Sequence, residues 1–353
     1  MSHDIILTVD YHDRVCVIRR RDCATRREQL LEEVPTSKDS LLQVVDEARR
    51  DAGRRGRVIW IQESTTGWAR VKELLGPRVE FRLANVLQIP KTAKSHKRKT
   101  DKLDTGRIQR EYINGDLPLA FQPQPELRQL RRVVAYREEL VNRRTALRNW
   151  INRFLSHETW YDTTGMWSVK GQRRLRTFLK TLPRTDALII GQKLDELARL
   201  EAQLKLAINE LLVAHQSSSE AQRLDVIKGI SLVSSVSISA RIGPVSRFKT
   251  AEQLIGLAGL APGIAESDQT RRNGHIGGGG TDTRLRHYLI EATLWARDLP
   301  RYKSAYQRTA RRKGPKIGRL VVARMLLRSI YKILKDGVAF DAGKEARARA
   351  AAC

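Results

Sequence analysis

The chain has 353 residues, and its 66 Lys and Arg against 39 Asp and Glu give a formal net charge of +27 at pH 7. This length predicts two domains, and 41% hydrophobic residues are enough for packed cores, which excludes a disordered basic tail. No apolar run reaches the about 18 residues of a membrane-spanning helix, and the N-terminus lacks a signal-peptide pattern. We therefore expect a soluble cytoplasmic protein with no membrane partner. Its positive charge favours nucleic acid as the partner, because phosphates attract Lys and Arg whatever the base sequence.

The first region, 1–117, alternates strand-like and helix-like segments, which predicts an α/β domain. Strands are predicted at the short apolar runs 5–10, 15–20, 58–63 and 79–87. Helices are predicted at 37–50, at 69–75 and from Thr100 onward. This order of elements is typical of a mixed or parallel sheet.

The second region, 118–220, is predicted to be helical. Its two long helices, 126–155 and 186–215, are separated by an insertion at 156–184, and the second carries an apolar stripe of Leu and Ile at every third or fourth position. Such helices either pair as an antiparallel hairpin or meet a second subunit as a coiled coil.

Three aromatic residues lie in the insertion between the long helices: Trp160, Tyr161 and Trp167. They either form a small packed core or stack on unpaired bases of a nucleic acid. The sequence leaves both alternatives open.

The third region, 221–342, precedes a tail at 343–353 and is also predicted to be mostly helical. It contains a polar, glycine-rich loop at 266–283, a helix at 285–299 and a basic helical stretch at 300–335. The expected fold class of the whole chain is therefore α/β plus all-α.

Four acidic residues in the first region form a candidate metal site. Asp10 and Glu63 each end a predicted strand, where carboxylates of α/β sheets commonly meet a ligand, and Asp101 and Asp104 project from one face of a predicted helix. Converging carboxylates repel one another unless cations neutralise them, and hard oxygen ligands suit Mg²⁺ or Mn²⁺. In the alternative interpretation, Asp101 stabilises a helix N-terminus and the other acids are ordinary strand-end residues.

Ser267 is a candidate nucleophile in the glycine-rich loop. It is flanked by Glu266 and Asp268, and Arg271 and Arg272 follow closely. An exposed serine can attack a phosphate, and nearby arginines can stabilise the charge that develops. A purely structural role in the loop is the alternative.

Short motifs occur in a linked order along nearly the whole chain. In the first region these are TVD (8–10), ESTTG (63–67) and KTDKLD (99–104). In the third region they are GI (229–230), RF (247–248), QLIGLAGLAP (253–262), RRNGHI (271–276), TRLRHYLIEA (283–292) and GVAFD (337–341). They resemble the signatures of the DEDD transposases, the bridge-RNA-guided recombinases of bacterial insertion sequences.

The resemblance implies an N-terminal RNase H-like domain similar to the RuvC resolvase and a C-terminal transposase domain. Between them, we expect the long helices to form a helical coiled-coil segment that mediates dimerisation. Asp10, Glu63, Asp101 and Asp104 would bind the metal ion, and Ser267 would become covalently joined to DNA. The implied partners are donor and target DNA, a noncoding bridge RNA and further copies of the chain in a dimer or tetramer. Such a protein would be associated with the bacterial nucleoid.

Two residues depart from the family pattern. Asp13 stands where many relatives carry Lys or another polar residue, and it adds an acid near the metal site. Asp268 replaces the glycine that usually follows the nucleophilic serine.

Twelve basic residues are candidate contacts to nucleic-acid phosphates. They are Lys97, Arg98, Lys99, Lys102, Arg107, Arg271, Arg272, Arg284, Arg286, Arg311, Arg312 and Lys313. The sequence does not assign any of them to DNA or to RNA.

Two further functions compete with recombination. One is a hydrolytic, structure-selective nuclease that uses the acids and water without a covalent step. The other is a noncatalytic nucleic-acid-binding scaffold.

Overall fold

The computed structural model of the protein describes residues 3–89, 101–159, 161–267, 270–276 and 280–341. Of 101–103, 262–267 and 270–276 it describes the backbone alone. The chain divides into two compact units, Met1–Gln122 and Pro123–Cys353. The candidate residues Lys97, Arg98, Lys99 and Trp160 lie outside the described residues.

In the described part of the first unit, five strands form one mixed sheet in the order β3-β2-β1-β4-β5. The strands are β1 Ile5–Tyr11, β2 Val15–Asp22, β3 Glu28–Pro35, β4 Val58–Glu63 and β5 Glu80–Ala84. The helices are α1 Lys38–Ala52, α2 Trp68–Leu75 and α3 Asp101–Asn114. Strand β1 is parallel to β4 and antiparallel to β2. The prediction of an α/β region is confirmed.

The two faces of the sheet are covered by different helices. Side chains alternate along β1, so Leu7 and Val9 pack with Val45 of α1 on one face. Ile6 points to the other face, where it packs with Ile108 of α3. Helix α3 therefore covers the face that carries every second residue of β1 from Ile6 onward.

Strand β3 was not predicted from the sequence. Its residues, EQLLEEVP, do not alternate between apolar and polar, and most of them are exposed or half-buried. The strand lies at the edge of the sheet, and its register with β2 shifts between Cys16 and Ile18. Backbone pairing with β2, rather than burial, forms this strand, so it leaves a weak pattern in the sequence.

The second unit is mainly helical in its described part. Its helices are α4 Pro125–Glu158, α5 Val169–Leu179, α6 Arg184–Gln216, α7 Ser219–Asp225, α8 Leu232–Ile242, α9 Ala251–Leu257, α10 Thr283–Ala296, α11 Pro300–Lys313 and α12 Pro315–Asp336. Strands β6 Pro262–Ser267 and β7 Thr270–Ile276 form an antiparallel hairpin. Helix α12 lies at the centre of the core, where Leu326 and Ile330 pack with Leu285 and Leu289 of α10.

The long helices α4 and α6 pack against each other within one chain. Ile151 and Leu155 of α4 share a buried cluster with Leu197 and Leu200 of α6. The two helices therefore pair with each other as a hairpin, which is one of the two arrangements that the sequence left open.

The insertion between the long helices contains α5 and two described aromatic residues that pack onto the same core. The ring centroids of Tyr161 and Phe178 lie 4.5 Å apart. Trp167 donates through Nε1 to Oδ1 of Asn152, at 3.1 Å. Tyr161 and Trp167 therefore belong to a small packed core, which is one of the two roles that the sequence left open.

Two expectations for the third region differ from the structure. The glycine-rich loop expected at 266–283 overlaps the hairpin of β6 and β7, in which backbone pairing joins Pro262–Ser267 to Thr270–Ile276. The basic stretch expected to be helical from 300 to 335 consists of two helices, α11 and α12, that meet at Gly314. Gly314 has a φ of 85°, a left-handed conformation that ends α11. Across the described ranges, no helix is long and apolar enough to span a membrane.

Candidate metal and nucleic-acid sites

Asp10 and Glu63 lie at one edge of the sheet in the first unit. Val9 of β1 pairs with Gln62 of β4, so the two acids follow directly at the carboxyl ends of adjacent parallel strands. Alternation along β1 places Asp10 on the same face as Ile6, which is the face that α3 covers. The topology therefore aims this carboxylate at α3.

Asp104 reaches the same edge from α3. Ile108 is buried against the sheet, and Asp104 precedes it by one helical turn, so the two side chains share a face of the helix. Asp10, Glu63 and Asp104 line one open cavity of about 350 Å³. The structure brings these three predicted acids together, and the side chain of Asp101 lies outside the description.

The cavity has a strongly negative lining. The described residues that line it include four carboxylates and no lysine or arginine: Asp10, Tyr11, His12, Asp13, Glu63, Thr65, Thr66 and Asp104. Nε2 of His12 lies 3.5 Å from Oδ2 of Asp10, so a protonated His12 offsets one of the four charges. The lining includes Asp13, the additional acid noted in the sequence.

This donor set fits a hard divalent cation. Carboxylate oxygens suit Mg²⁺, which keeps several waters and needs only one or two direct carboxylate ligands. Within the described ranges, no three carboxylate, histidine or cysteine side chains lie close enough together to hold one ion. Carboxylates placed in this way can hold a hydrated ion through its water ligands.

Several residues that line the cavity were not singled out from the sequence. His12 lies in the turn after β1, and Thr65 and Thr66 lie in the ESTTG segment after β4. In the sequence, the only indication that these residues belong to the site was that they lie close to Asp10 and Glu63. Uncharged hydroxyls carry little pattern, so this signal was weak.

Cys16 lies near Asp10 inside the sheet. It pairs with Tyr11 across β1 and β2 and is fully buried. Burial, and secondarily the negative charge of Asp10, raise the pKa of the Cys16 thiol to about 12. The thiol is therefore neutral at physiological pH.

Ser267 ends strand β6 and pairs with Thr270 of β7. The structure thus places its backbone at the tip of a hairpin instead of within an irregular loop. Across the hairpin, Arg271 pairs with Glu266, and Arg272 pairs with Ala265. The side chains of these hairpin residues lie outside the description.

The described basic candidates fall into two groups. Three have partners within the protein: Arg107 donates to the carbonyl of Ile89 at 2.8 Å, Arg284 forms an ion pair with Glu138 at 2.7 Å, and Arg286 donates to the carbonyl of Gly259 at 3.3 Å. Three others are exposed in the last turn of α11: Arg311, Arg312 and Lys313. Lys102 lies on α3, but its side chain is outside the description.

Three arginines of the second unit meet at the C-terminal end of α8. Arg131 donates to the carbonyls of Ala240 and Arg241, at 2.8 and 3.0 Å, and Arg247 donates to another carbonyl of this helix end. Arg241 forms an ion pair with Asp282 at 3.3 Å. Burial, together with the charge of Arg131, lowers the pKa of Arg247 to about 10. Because these arginines come from separate elements, sequence analysis missed them.

Comparison with known proteins identifies two family matches. Residues 221–307 match the family described as the IS116/IS110/IS902 transposases, and residues 10–158 match a transposase model of the IS110 DEDD type. Asp10, Glu63 and Asp104 all lie within the second match.

Two curated relatives carry names of the same kind. The chain is 24% identical over 207 residues to a Sinorhizobium fredii protein named as a transposase, which covers 58% of this chain and 49% of the relative. It is 29% identical over 178 residues to a Pseudomonas aeruginosa protein named as a family 20 transposase, which covers 49% of this chain and 51% of the relative. The chain thus spans about half the length of the curated relatives it matches.

Both family models describe the same family. The model matched at 10–158 covers the acids of the first-region motifs, and the model matched at 221–307 covers most of the motifs of the third region. The chain belongs to the IS110 family of transposases.

Proposed function

We propose that the protein is a DNA recombinase that cuts and rejoins the strands of an insertion sequence. A metal-binding carboxylate site in the first unit and a serine nucleophile in the second unit would share the reaction. The observation that carries the proposal is the convergence of Asp10, Glu63 and Asp104 on one cavity within the region that matches the DEDD transposases.

The ion would be held by Asp10, Glu63, Asp101 and Asp104. Mg²⁺ or Mn²⁺, when bound, neutralises phosphate charge and stabilises the oxygens that attack and leave. The sheet and α3 fix the carboxylates before substrate arrives, because both acids of the sheet follow paired strand residues. The exposed hydroxyls of Thr65 and Thr66 line the same cavity and would donate hydrogen bonds to phosphate oxygens.

Ser267 would perform the covalent step. Its Oγ would form an ester bond to phosphorus, the bond from phosphorus to the leaving strand would break, and the serine proton would end on the leaving oxygen. The energy of the phosphodiester would thus be kept in the protein–DNA bond, so rejoining would need no nucleotide cofactor. Arg271 and Arg272, on the strand that pairs with β6, would stabilise the charge on phosphate.

The partners would be donor and target DNA, and a noncoding bridge RNA that selects both by base pairing. The net charge of +27 supports binding to polyanions of both kinds and a location on the nucleoid. The exposed Arg311, Arg312 and Lys313 are available for phosphate contacts.

An assembly of at least two chains would follow, because strand exchange involves four DNA strands. Helix α6 supports this part of the proposal, since Leu206 and Val213 are 67% and 59% exposed and lie seven residues apart on one face. A second copy of the chain would cover these side chains. The metal site of one chain would then act together with Ser267 of another.

The test uses the purified protein, Mg²⁺, the noncoding RNA from the flanks of its gene and matching DNA. Products are separated on denaturing gels with and without protease treatment. We compare the wild type with Asp10→Asn, Asp104→Asn and Ser267→Ala, and with the exposed control variants Asp39→Asn and Ser246→Ala.

We expect a protease-sensitive protein–DNA adduct in the wild type and both controls, and its loss in Ser267→Ala. Asp10→Asn is expected to abolish cleavage altogether. Metal-dependent cleavage without an adduct, unchanged in Ser267→Ala, would instead identify a hydrolytic nuclease of the junction-resolvase type. If Asp10→Asn and Asp104→Asn leave every measured function unchanged, the protein is a noncatalytic scaffold.

A further inference from the structure

A second cavity, of about 280 Å³, lies beside the carboxylate cavity in the first unit. The residues that line it come from β1, α1, α2 and the end of β3: Tyr11, Thr36, Lys38, Leu41, Arg70, Val71 and Leu74. Tyr11 also lines the carboxylate cavity, so the two cavities have one wall in common. The two cavities therefore adjoin at Tyr11.

The two cavities have opposite charge. The carboxylate cavity is lined by four acids, whereas the described lining of the second cavity includes Lys38 and Arg70 and no carboxylate. Lys38 is the first residue of the 15-residue helix α1, so its ammonium group lies at the helix end that favours anions. The remaining lining is apolar, apart from the hydroxyls of Tyr11 and Thr36.

Arg70 is held in place by a neutral partner. Its Nη2 donates to the hydroxyl of Tyr11 at 2.7 Å. A guanidinium has five N–H donors and keeps its full charge, so one bond to a phenol leaves donors for an anion. Gly67 leaves room for the ring of Tyr11, because a Cβ at position 67 would lie 3.2 Å from Cε1 of the ring, and its φ of +91° also favours glycine. Gly67 belongs to the ESTTG segment that begins with Glu63.

Thr36 ties the wall of the second cavity to the turn that carries the acids. Its Oγ1 donates to the carbonyl of Asp13 at 2.8 Å, and its backbone N–H donates to the carbonyl of Arg14 at 3.0 Å. His12 and Asp13 of this turn line the carboxylate cavity. These two hydrogen bonds hold Thr36 of the second cavity against the turn that lines the first.

We propose that the second cavity binds a backbone phosphate of the DNA strand, adjacent to the phosphate that is cut at the carboxylate cavity. Lys38 and Arg70 are the positioning residues that hold this neighbouring phosphate. This inference rests on the proposed function, because it assumes that DNA reaches the carboxylate cavity. A strand anchored in this way offsets the repulsion between its phosphates and the four acids. It also fixes which phosphate faces the acids.

The test measures DNA binding without cleavage. Ca²⁺ replaces Mg²⁺, and the probe is a fluorescein-labelled duplex that carries the flanks of the gene. The Lys38→Ala/Arg70→Met double variant is compared with Arg50→Met/Lys72→Ala, which removes the same charge from exposed positions of α1 and α2 outside the cavity. Anisotropy titrations at several salt concentrations give the slope of log Kobs against log salt. Thermal unfolding verifies that both variants fold, and Arg70→Lys serves as the conservative variant.

Loss of the contact to this one phosphate should reduce the salt slope by about 0.9, which is the contribution of each neutralised phosphate. We expect this reduction in the cavity variant, little change in the control variant and partial retention in Arg70→Lys. Equal reductions in both double variants would overturn the inference, because only net charge would then matter. An effect on RNA of the same sequence, but not on DNA, would also overturn it.

A second measurement locates the contact on the DNA. Single phosphates on either side of the cut site are replaced by neutral methylphosphonates. We expect one replacement to weaken binding of the wild type and to have no further effect on the Lys38→Ala/Arg70→Met variant. If the two effects add, the cavity does not contact that phosphate. If the salt slope is unchanged while Asp10→Asn abolishes cleavage, the inference fails and the proposed function stands. If Asp10→Asn retains cleavage, the proposed function fails whatever the binding result.

Discussion

The hydroxyl of Thr8 is buried in the sheet of the first unit without a hydrogen-bond partner among the described residues. Thr8 is fully buried, and it lies two residues before Asp10 on the face of β1 that α3 covers. We expect Thr8→Val to stabilise the first unit, because valine keeps the branched shape and replaces the hydroxyl with a methyl group. Thr8 does not line the carboxylate cavity, so metal-dependent activity should be retained.

The size of the effect follows from two contributions. A buried polar group without a partner costs about 1–3 kcal/mol. Burying an additional methyl group contributes about 0.8 kcal/mol. Both favour Val at position 8, so we expect a gain of about 1–3 kcal/mol after the imperfect fit of the methyl group is included. The first unit has 122 residues, and for this size 1 kcal/mol corresponds to about 4 °C in melting temperature.

The assay is hydrogen exchange of the full chain, followed by mass spectrometry of peptides from β1 and β4. The matched control is Thr293→Val in the second unit, since Thr293 is equally buried but its Oγ1 donates to the carbonyl of Ile290 at 2.6 Å. We expect slower exchange in β1 and β4 for Thr8→Val, and no gain in stability for Thr293→Val. Faster exchange in β1 after Thr8→Val would refute the reasoning, because the hydroxyl would then have a stabilising partner.

Three further measurements test other parts of the structure. With a pKa of about 12, only about one Cys16 thiol in ten thousand is ionised at pH 8, and the side chain is fully buried. Iodoacetamide should therefore label Cys16 only after the protein is denatured. Rapid labelling of the native chain, detected by peptide mapping, would contradict the burial of Cys16. Hydrogen bonds from the backbone N–H groups of Thr25 and Ala24 lower the pKa of the Asp22 carboxyl in the folded protein. The ionised carboxylate therefore stabilises the fold at pH values above its unfolded pKa of about 4. This stabilisation is lost as the pH falls through the lower pKa of the folded state. The stability difference between wild type and Asp22→Asn, measured by urea unfolding, should therefore shrink in acid, and a constant difference would count against the charged hydrogen bonds. Tyr302→Phe removes a buried bond of 2.9 Å to Ser329 and should lower the unfolding free energy by about 1 kcal/mol, whereas an unchanged urea midpoint would show that the bond adds nothing.

The strands that carry Asp10 and Glu63 could be predicted from the sequence because their patterns are local. Each of β1 and β4 is a short apolar run that ends in an acid, and the observed bounds, Ile5–Tyr11 and Val58–Glu63, agree closely with the predicted runs. The hairpin of β6 and β7 was missed. Backbone pairing between Pro262–Ser267 and Thr270–Ile276 forms it, and polar and glycine-rich residues in this segment also suit a loop.

By itself, the sequence determined the positive charge, the α/β and helical regions and the acids that were singled out as metal ligands. Its linked motifs also indicated the transposase family. The tertiary structure decided which residues share a site. The parallel register of β1 and β4 and the packing of Ile108 bring Asp10, Glu63 and Asp104 to one cavity. Lys38 and Arg70 come together because α1 and α2 pack beside β1, and no local pattern records an approach between separate elements. Which elements come into contact is decided by how the whole unit buries its apolar surface, and no single segment of the sequence contains that information.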